Sequence, residues 1–535
     1  MAGVSEFLRN TGPMNDAEST ANPASVDITL GAAFKEKATQ EPDAVYAVFE
    51  GVTITFGDLD HRSDAIAKVI RDKGAIPGDR IITMLVNSPD CLALIFGIVK
   101  AGMVWVPVNV NQRGEGLKAI FENCDPRLAI IETELAGVLS DSGIELGRDA
   151  LILHDEEVGL AFAEQGQTAS MPYSVPNAKP DQHFALMYTS GTTGPPKGVI
   201  VTHRMFRLAA ESSILVSDAQ DHDIFFMWEP LYHIGGAQLL YLPVLKAMHL
   251  HMVKRFSASR FWQQVRDSGA TQIHYLGGIL QMLLAQPETN QDTDHKVRIA
   301  WGAGCQTDTF ALFTKRFNVA IRECYGMTEA SSITTYSTST QPGVVGKPVP
   351  WFDVQIRDEH DQIVPNGQKG QIVVSQKTSG GLFPGYFRQA DATRKALQNG
   401  TLYTGDLGSL DEAGMLRFHG RQSDSVRCRG ENISAWEVEH VVLKHPAVEE
   451  CAIIGVAAQI GEQDIKLFVR LKDGESLSQD ALCDWLEPRL AKYMMPRYVV
   501  FADDFERTGS QRIIKRKLSS EIAGCWDRLA LSKSA

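Results

Sequence analysis

The 535-residue chain contains no run of about 18 consecutive apolar residues, the length that spans a bilayer, so no transmembrane helix is expected. It has no basic excess either. Its 52 Lys and Arg stand against 65 Asp and Glu, a net charge of −13. That balance argues against a general nucleic-acid binder, whose affinity comes from many cations gathered on one face. The eight cysteines, at positions 91, 124, 305, 324, 428, 451, 483 and 525, form no CxxC pair and no Cys/His cluster at zinc-ligand spacing. Reduced thiols and no structural zinc are the reading. The first twenty residues carry acidic and polar side chains where a signal peptide needs a continuous apolar core, and a cytoplasmic location is therefore expected. What the chain does have is 44% hydrophobic and 22% charged residues, enough for a large core. Its length suits three or four folding units of about 150 residues.

Residues 1–27 are rich in Ser, Asn, Pro and Ala without apolar periodicity, which reads as a mobile leader. Beyond them, short apolar runs of buried-strand type at Arg80–Val86 and Leu128–Ile131 flank a helically spaced segment, Pro89–Lys100. The alternation returns at Phe184–Tyr188, Asp223–Met227 and Val297–Trp301, with room between for crossover helices. From about Gly343 the pattern becomes short alternating strands and turns. A polar connector follows at 422–425, and about 110 residues with their own strands and a helix around Ala481–Leu490 close the chain. The fold class is thus α/β: a large body at 28–421 made of two α/β lobes and a β-rich lobe, a connector at 422–425, and a small α+β cap at 426–535.

The strongest chemical signal is Tyr188-Thr189-Ser190-Gly191-Thr192-Thr193-Gly194-Pro195-Pro196-Lys197-Gly198. An apolar run enters it, and Val199-Ile200-Val201 leaves it towards Thr202, a good N-cap for a helix beginning near His203. The glycines let backbone approach a polyanion, the hydroxyls and N–H groups donate hydrogen bonds, and Lys197 supplies a point charge. A phosphate-binding loop is expected. It is not a Walker A loop, because Gly198 stands where Ser or Thr should follow the lysine.

This loop resembles the signature of the adenylate-forming superfamily, which includes acyl-CoA and aryl-CoA synthetases. The resemblance recurs in order from Thr55-Phe56-Gly57-Asp58-Leu59 to Lys517-Leu518. It implies a two-step reaction: a carboxylate attacks the α-phosphate of ATP to give acyl-AMP and pyrophosphate, and a thiol then takes the acyl group. Besides Thr189, Ser190, Gly191, Thr192, Thr193, Gly194 and Lys197, the implied nucleotide contacts are Tyr325, Gly326, Met327 and Thr328 beside adenine and phosphate. Asp406 is the implied ribose clamp, with Arg421 as its basic partner, and Gly302, Ala303 and Gly304 form the bend between the adenine and acyl pockets. Glu329 is the implied Mg²⁺ ligand, since a hard cation prefers carboxylate oxygen and keeps several waters. The acyl pocket is expected from His233, Ile234, His274, Tyr275, Leu276, Gly302 and Met327.

The resemblance also implies that the connector at 422–425 is a hinge and the cap mobile, a cap that rotates between the half-reactions about a pivot at Ser423 and Asp424. It brings Arg429, Gly430 and Glu431 to CoA for the second step. The family's catalytic cap lysine falls on Arg512, which keeps the charge but replaces a compact ammonium with a planar fork. Lys515 is a conceivable substitute. Catalytic contributions are thus expected from Arg512, Lys515, His233, Thr189 and Lys197.

The motif wording, such as Ala101-Gly102-Met103-Val104-Trp105-Val106-Pro107 and Gly430-Glu431-Asn432-Ile433-Ser434, looks most like acyl-CoA synthetases of the carnitine/crotonobetaine-CoA ligase branch. The implied substrates are a small-molecule carboxylic acid, ATP with Mg²⁺, and CoA, with no nucleic acid; a homodimer is left open. Two alternatives stay alongside. One is a nucleotide- or acyl-adenylate-binding protein whose adenylation is impaired by Arg512. The other is an adenylation enzyme loading a separate carrier protein.

Overall fold

The computed structural model describes residues 28–147, 150–154, 178–189, 196–305, 307–339, 341–422, 425–428, 431–458, 463–490, 494–507 and 512–531. The expected leader at 1–27 lies outside them, as do Ser423 and Asp424 of the connector.

The first lobe is a six-stranded sheet in the spatial order Leu151–His154, Leu128–Glu132, Arg80–Met84, Val104–Pro107, His183–Thr189, Lys197–Thr202. All neighbours are parallel except the last pair, a hairpin whose loop carries the hydroxyl-and-glycine motif. The helically spaced segment folds as a helix over Pro89–Lys100. Ser88 caps it, its hydroxyl accepting from the Cys91 N–H at 3.0 Å.

The second lobe is centred on parallel strands in the order Ala320–Tyr325, Ile299–Ala303, Gln272–Leu276, Ile224–Met227, His249–Met252 and Val45–Phe49. The helix His203–Ser217, capped by Thr202, is buried on most of its circumference, as a helix wedged between two sheets must be. Phe206 stacks on Phe184 of the first sheet with ring centroids 4.0 Å apart, so the two lobes share one core.

The expected β-rich lobe is built onto the second sheet. Its antiparallel strands Phe352–Arg357, Gly370–Gln376, Thr401–Leu410 and Leu416–Arg421 continue the second sheet, giving fourteen strands in all. The join runs through Val344–Pro348 and the two-residue strand Thr335–Tyr336, which pairs with Ala320–Tyr325. Gly346 permits it: at φ +90° its backbone lies so close to Tyr336 that an added Cβ would stand 1.8 Å from the Tyr336 carbonyl.

The cap has a four-stranded sheet of Val448–Ala457, Gln463–Leu471, Tyr498–Phe501 and Trp526–Asp527, with its own core around Ile453, Leu467 and Val499. The predicted helix is Gln479–Leu486, capped by Ser478. Among the described residues no helix is long and apolar enough to cross a membrane.

A buried ionic relay sits at the carboxyl ends of the first sheet. His154, 1% exposed, bonds Glu132 through Nδ1 at 3.1 Å and Asp90 through Nε2 at 3.0 Å, and Asp90 also meets Arg62. Burial alone would lower the imidazole pKa, but the hydrogen bonds and charges of Asp90 and Glu132 outweigh it and push it up to about 9. A raised imidazole stabilises the fold fully below its unfolded value near 6.5. That contribution, of order 3 kcal/mol, is lost as pH rises through 9. Thermal unfolding should therefore show a falling midpoint between about pH 7 and 9.5. His154→Gln should flatten that fall.

Candidate active site

The site forms where the strands of the second sheet end and the β-rich lobe begins. Tyr325, the last residue of its strand, is 6% exposed, and its hydroxyl donates to Oδ2 of Asp406 at 2.8 Å. Asp406 and Arg421 are register partners on neighbouring antiparallel strands, with Arg421 Nε 3.5 Å from Asp406 Oδ1. Gly405, at φ +73°, lets the strand bulge there, and the Asp406 N–H donates to Thr404 Oγ1 at 3.0 Å. Burial, with the Asp406 carboxylate beside it, pushes the Tyr325 phenol well above its usual range. One face of Tyr325 packs against Phe418 at 5.7 Å between ring centroids. Ring, carboxylate and guanidinium, expected from three separate motifs, thus meet in one place.

A second group gathers around Glu329, 5% exposed in a short turn at Thr328–Ala330. The Tyr386 hydroxyl donates to its Oε1 at 2.8 Å, and the Lys197 ammonium stands 5.1 Å from the centre of the Tyr386 ring. Burial raises the Glu329 carboxyl pKa, against the opposing pull of the Tyr386 hydrogen bond and the Arg421 and Lys197 charges. Lys197 faces Thr189 across the hairpin as its register partner. Lys197 thus stands beside this group, while 190–195 of the motif lie outside the described residues. Among the described residues no three His, Cys, Asp or Glu side chains converge as a cation cage. One buried, undercompensated carboxylate fits Mg²⁺ all the same, since that ion takes one or two protein carboxylates and completes its shell with water and phosphate oxygens.

The bend at Gly302-Ala303-Gly304 is braced from below. Gly302 packs so tightly that an added Cβ would lie 1.9 Å from the Tyr275 carbonyl, and Gly304 has φ +81°. Glu323, 3% exposed, accepts the Cys305 N–H at 3.1 Å and the Gly343 N–H at 2.8 Å. Burial pushes its carboxyl up to about 7, against the two donated hydrogen bonds. Gly326 is equally constrained, its Cβ position being 1.8 Å from the Ser332 carbonyl.

His233 caps the short helix Ile234–Ala237, and its Nε2 is buried without a hydrogen-bond partner among the described residues. Burial, and then the charge of Arg512, hold this imidazole down at about 4, so it is neutral at pH 7. Arg512 of the cap therefore stands close enough to the body for its charge to be felt at His233. It is exposed and precedes Ile513, which forms an antiparallel bridge with Arg507. Lys515 is engaged elsewhere, its Nζ 2.7 Å from Glu439 Oε1 inside the cap. Met327 and Thr328 continue from Tyr325 towards Glu329, with Thr328 buried. Of the expected CoA contacts, Arg429 and Gly430 lie outside the described residues, and Glu431 opens the strand Glu431–Ser434.

The expected acyl residues divide between two faces. His274 packs against Trp301 at 4.3 Å between ring centroids. Tyr275, next along the same strand, is fully buried on the opposite side with Ile273 and Phe310. Tyr275 is thus separated from His274 and does not share a surface with it. Leu276 ends the strand half-buried. Four contributors were missed in the sequence: Tyr386, Phe418, Glu323, and Glu229, which bonds His274. Each pairs across more than ten residues, and only the period-two alternation that divides His274 from Tyr275 was available as a signal.

Comparison with known proteins agrees with this geometry. Residues 34–387 match the model of the AMP-binding enzyme family, and 437–512 match that of the AMP-binding enzyme C-terminal domain. The crotonobetaine/carnitine–CoA ligase of Proteus mirabilis (strain HI4320) is 30% identical over 484 residues, 87% of this chain and 92% of the relative. The ligase of the same name from Salmonella typhi is 28% identical over 494 residues, 89% and 95% of the two chains. Among solved structures, ATP-bound MatB from Rhodopseudomonas palustris superposes with a TM-score of 0.83 at 24% identity, over 91% of this chain and 98% of that one. O-succinylbenzoate coenzyme A synthetase from Bacillus subtilis, in complex with AMP, gives 0.80 at 24% identity, over 92% and 98%. With a body and a cap that both match, the chain belongs to the AMP-binding enzyme family.

Proposed function

We propose that the chain is an ATP-dependent, AMP-forming acyl-CoA ligase that activates a small or medium carboxylic acid as acyl-AMP and passes the acyl group to CoA in the cytoplasm. The observation that carries this reading is the meeting of Tyr325, Asp406 and Arg421 in the body, where the Tyr325 hydroxyl and the Arg421 guanidinium both converge on the Asp406 carboxylate. Tyr325 offers an aromatic face for adenine, and the Asp406 carboxylate accepts from ribose hydroxyls while Arg421 fixes its orientation. Lys197, Thr189 and the donors of the loop between them hold the triphosphate. Mg²⁺ bound by Glu329 would neutralise phosphate charge. Neutral His233 closes the acyl side and orients the carboxylate without competing for it as a cation. Arg512 then stabilises the negative charge that shifts towards pyrophosphate as the acyl oxygen attacks the α-phosphate. Lys515, held by Glu439, is less suited to that task.

The test is ATP–pyrophosphate exchange across a panel of carboxylic acids with Mg²⁺, followed by CoA consumption. Folded protein that binds ATP but exchanges with no acid would overturn the reading. CoA and a carrier protein are separated by offering each thiol to preformed acyl-AMP. A companion prediction concerns the metal. Tyr386→Phe removes the hydroxyl that orients Glu329 and should raise the Mg²⁺ concentration for half-maximal exchange by about tenfold or more. The check is a Mg²⁺ titration at saturating ATP.

A further inference from the structure

Two polar side chains are buried on the acyl side of the site without a part in the chemistry above. Glu229 is 2% exposed and His274 4%. They lie 45 residues apart in the chain, and Nδ1 of His274 is hydrogen-bonded to Oε1 of Glu229. The carboxylate is fixed further by the Trp228 N–H, which donates to its Oε2 at 3.3 Å. Its backbone is tied to the first lobe by Asn87, whose amide donates to the Glu229 carbonyl at 2.8 Å. The strand under the imidazole is held by Trp228, whose indole N–H donates to the His274 carbonyl at 3.0 Å. A buried carboxylate and imidazole cost desolvation that an apolar pair of the same volume avoids, so their presence calls for a use.

The second imidazole nitrogen supplies one. No described residue is hydrogen-bonded to His274 Nε2. The ring lies between two segments already placed at the acyl side. On one side its Cε1 is 3.7 Å from where a Cβ on Gly235 would stand, two residues after His233. On the other it packs on Trp301, which leads into the Gly302-Ala303-Gly304 bend. Gly235 thus brings its bare backbone alongside the imidazole edge, where a larger side chain would lie in contact with the ring.

Glu229 also sets what that edge offers. In the tautomer this bond selects, Nδ1 donates to the carboxylate and the lone pair lies on Nε2 as an acceptor. The Glu229 charge disfavours a second carboxylate at the same place. We propose that His274, oriented by Glu229, is a specificity-determining residue that selects carboxylic acids carrying a hydroxyl on the acyl chain over the plain acids of equal length. This rests on the ligase reading, since the acyl side is defined by it.

The experiment compares kcat/KM, from pyrophosphate release, for butanoate and hexanoate against their hydroxylated derivatives at each chain position and their oxo analogues. At least one hydroxy acid should exceed its parent by about 100-fold, because a site built to bond a hydroxyl is left with an unpaired buried acceptor when the hydroxyl is missing. His274→Leu should bring that ratio within about threefold. Glu229→Gln can donate to Nδ1 and so moves the ring proton to Nε2, which should shift preference towards the oxo acid. Should a single variant fail to fold, Glu229→Met with His274→Leu leaves no unpaired charge and must show the same collapse of the ratio. Parent acids used as well as every hydroxy acid, or a preference that survives His274→Leu or the double variant, would overturn this inference while leaving the ligase reading intact. No pyrophosphate release with any acid would overturn both.

Discussion

Arg512→Ala is expected to slow acyl-adenylate formation by about 10²- to 10³-fold, the usual cost of removing one preorganised group aimed at charge that develops in the transition state. The expectation follows from where the cap's cations stand. Lys515 is ion-paired with Glu439 at 2.7 Å, and that same Oε1 also accepts the Ile453 N–H at 2.7 Å, so moving Lys515 would unpair a carboxylate built into the cap. Arg512 is exposed, and its charge reaches His233. The neutral state of His233 makes the division of labour consistent, since a second cation there would repel the guanidinium. Thioester formation from preformed acyl-AMP should fall far less than exchange, because no charge shifts to pyrophosphate in that step. Rapid-quench measurement of the two half-reactions checks this, and undiminished exchange in Arg512→Ala would remove the residue from the mechanism. Arg512→Lys adds a finer reading. A gain would mean that the planar fork impairs a site suited to ammonium, and a loss would mean that the site is fitted to arginine.

Much of the fold could be read from local pattern. The helix Pro89–Lys100 and the Thr202 cap of His203–Ser217 follow from periodicity and a hydroxyl at the right place, both properties of adjacent residues. The fusion of the β-rich lobe with the second sheet could not be read in the same way. It depends on Thr335–Tyr336, a strand too short to show any period, and on the close approach of Gly346 to a backbone ten residues away.

The site divides along the same line. Motifs that lie within a few consecutive residues, such as Tyr325 to Glu329 or Thr404 to Asp406, could be placed because their wording and order resemble those of the adenylate-forming superfamily. What holds them is non-local. Tyr386 reaches Glu329 across 57 residues, and Glu323 reaches Gly343 across 20. Neither tyrosine nor glutamate announces such a partner. The grouping of Tyr275 with His274 failed for the opposite reason: adjacent residues on a strand point to opposite faces, so nearness in sequence was itself the signal of separation.

Lys100→Met should cost about 3 to 5 kcal/mol, the largest effect on stability of any single change outside the site. Lys100 is completely buried, and its ammonium lies 2.6 Å from Asp60 Oδ1, 2.7 Å from Asp64 Oδ1 and 3.0 Å from the Asp60 carbonyl. Lys35 takes the remaining oxygens, at 2.6 Å from Asp60 and 3.0 Å from Asp64. Two ammonium groups and two carboxylates thus join the helices Leu30–Gln40, Phe56–Asp72 and Pro89–Lys100. Methionine fills the space of the lysine stem but leaves two carboxylates sharing one cation, and repulsion between them adds to the lost hydrogen bonds. Lys35→Met should cost far less, because its side chain is 26% exposed and water can replace it. The comparison separates charge pairing from packing. Replacing Lys100, Asp60 and Asp64 together by apolar residues of similar volume should recover most of the loss, as unpaired charge rather than missing volume is the cost. The apparent unfolding temperature of the four proteins, read by circular dichroism, decides it; a triple variant no more stable than Lys100→Met would place the defect in packing.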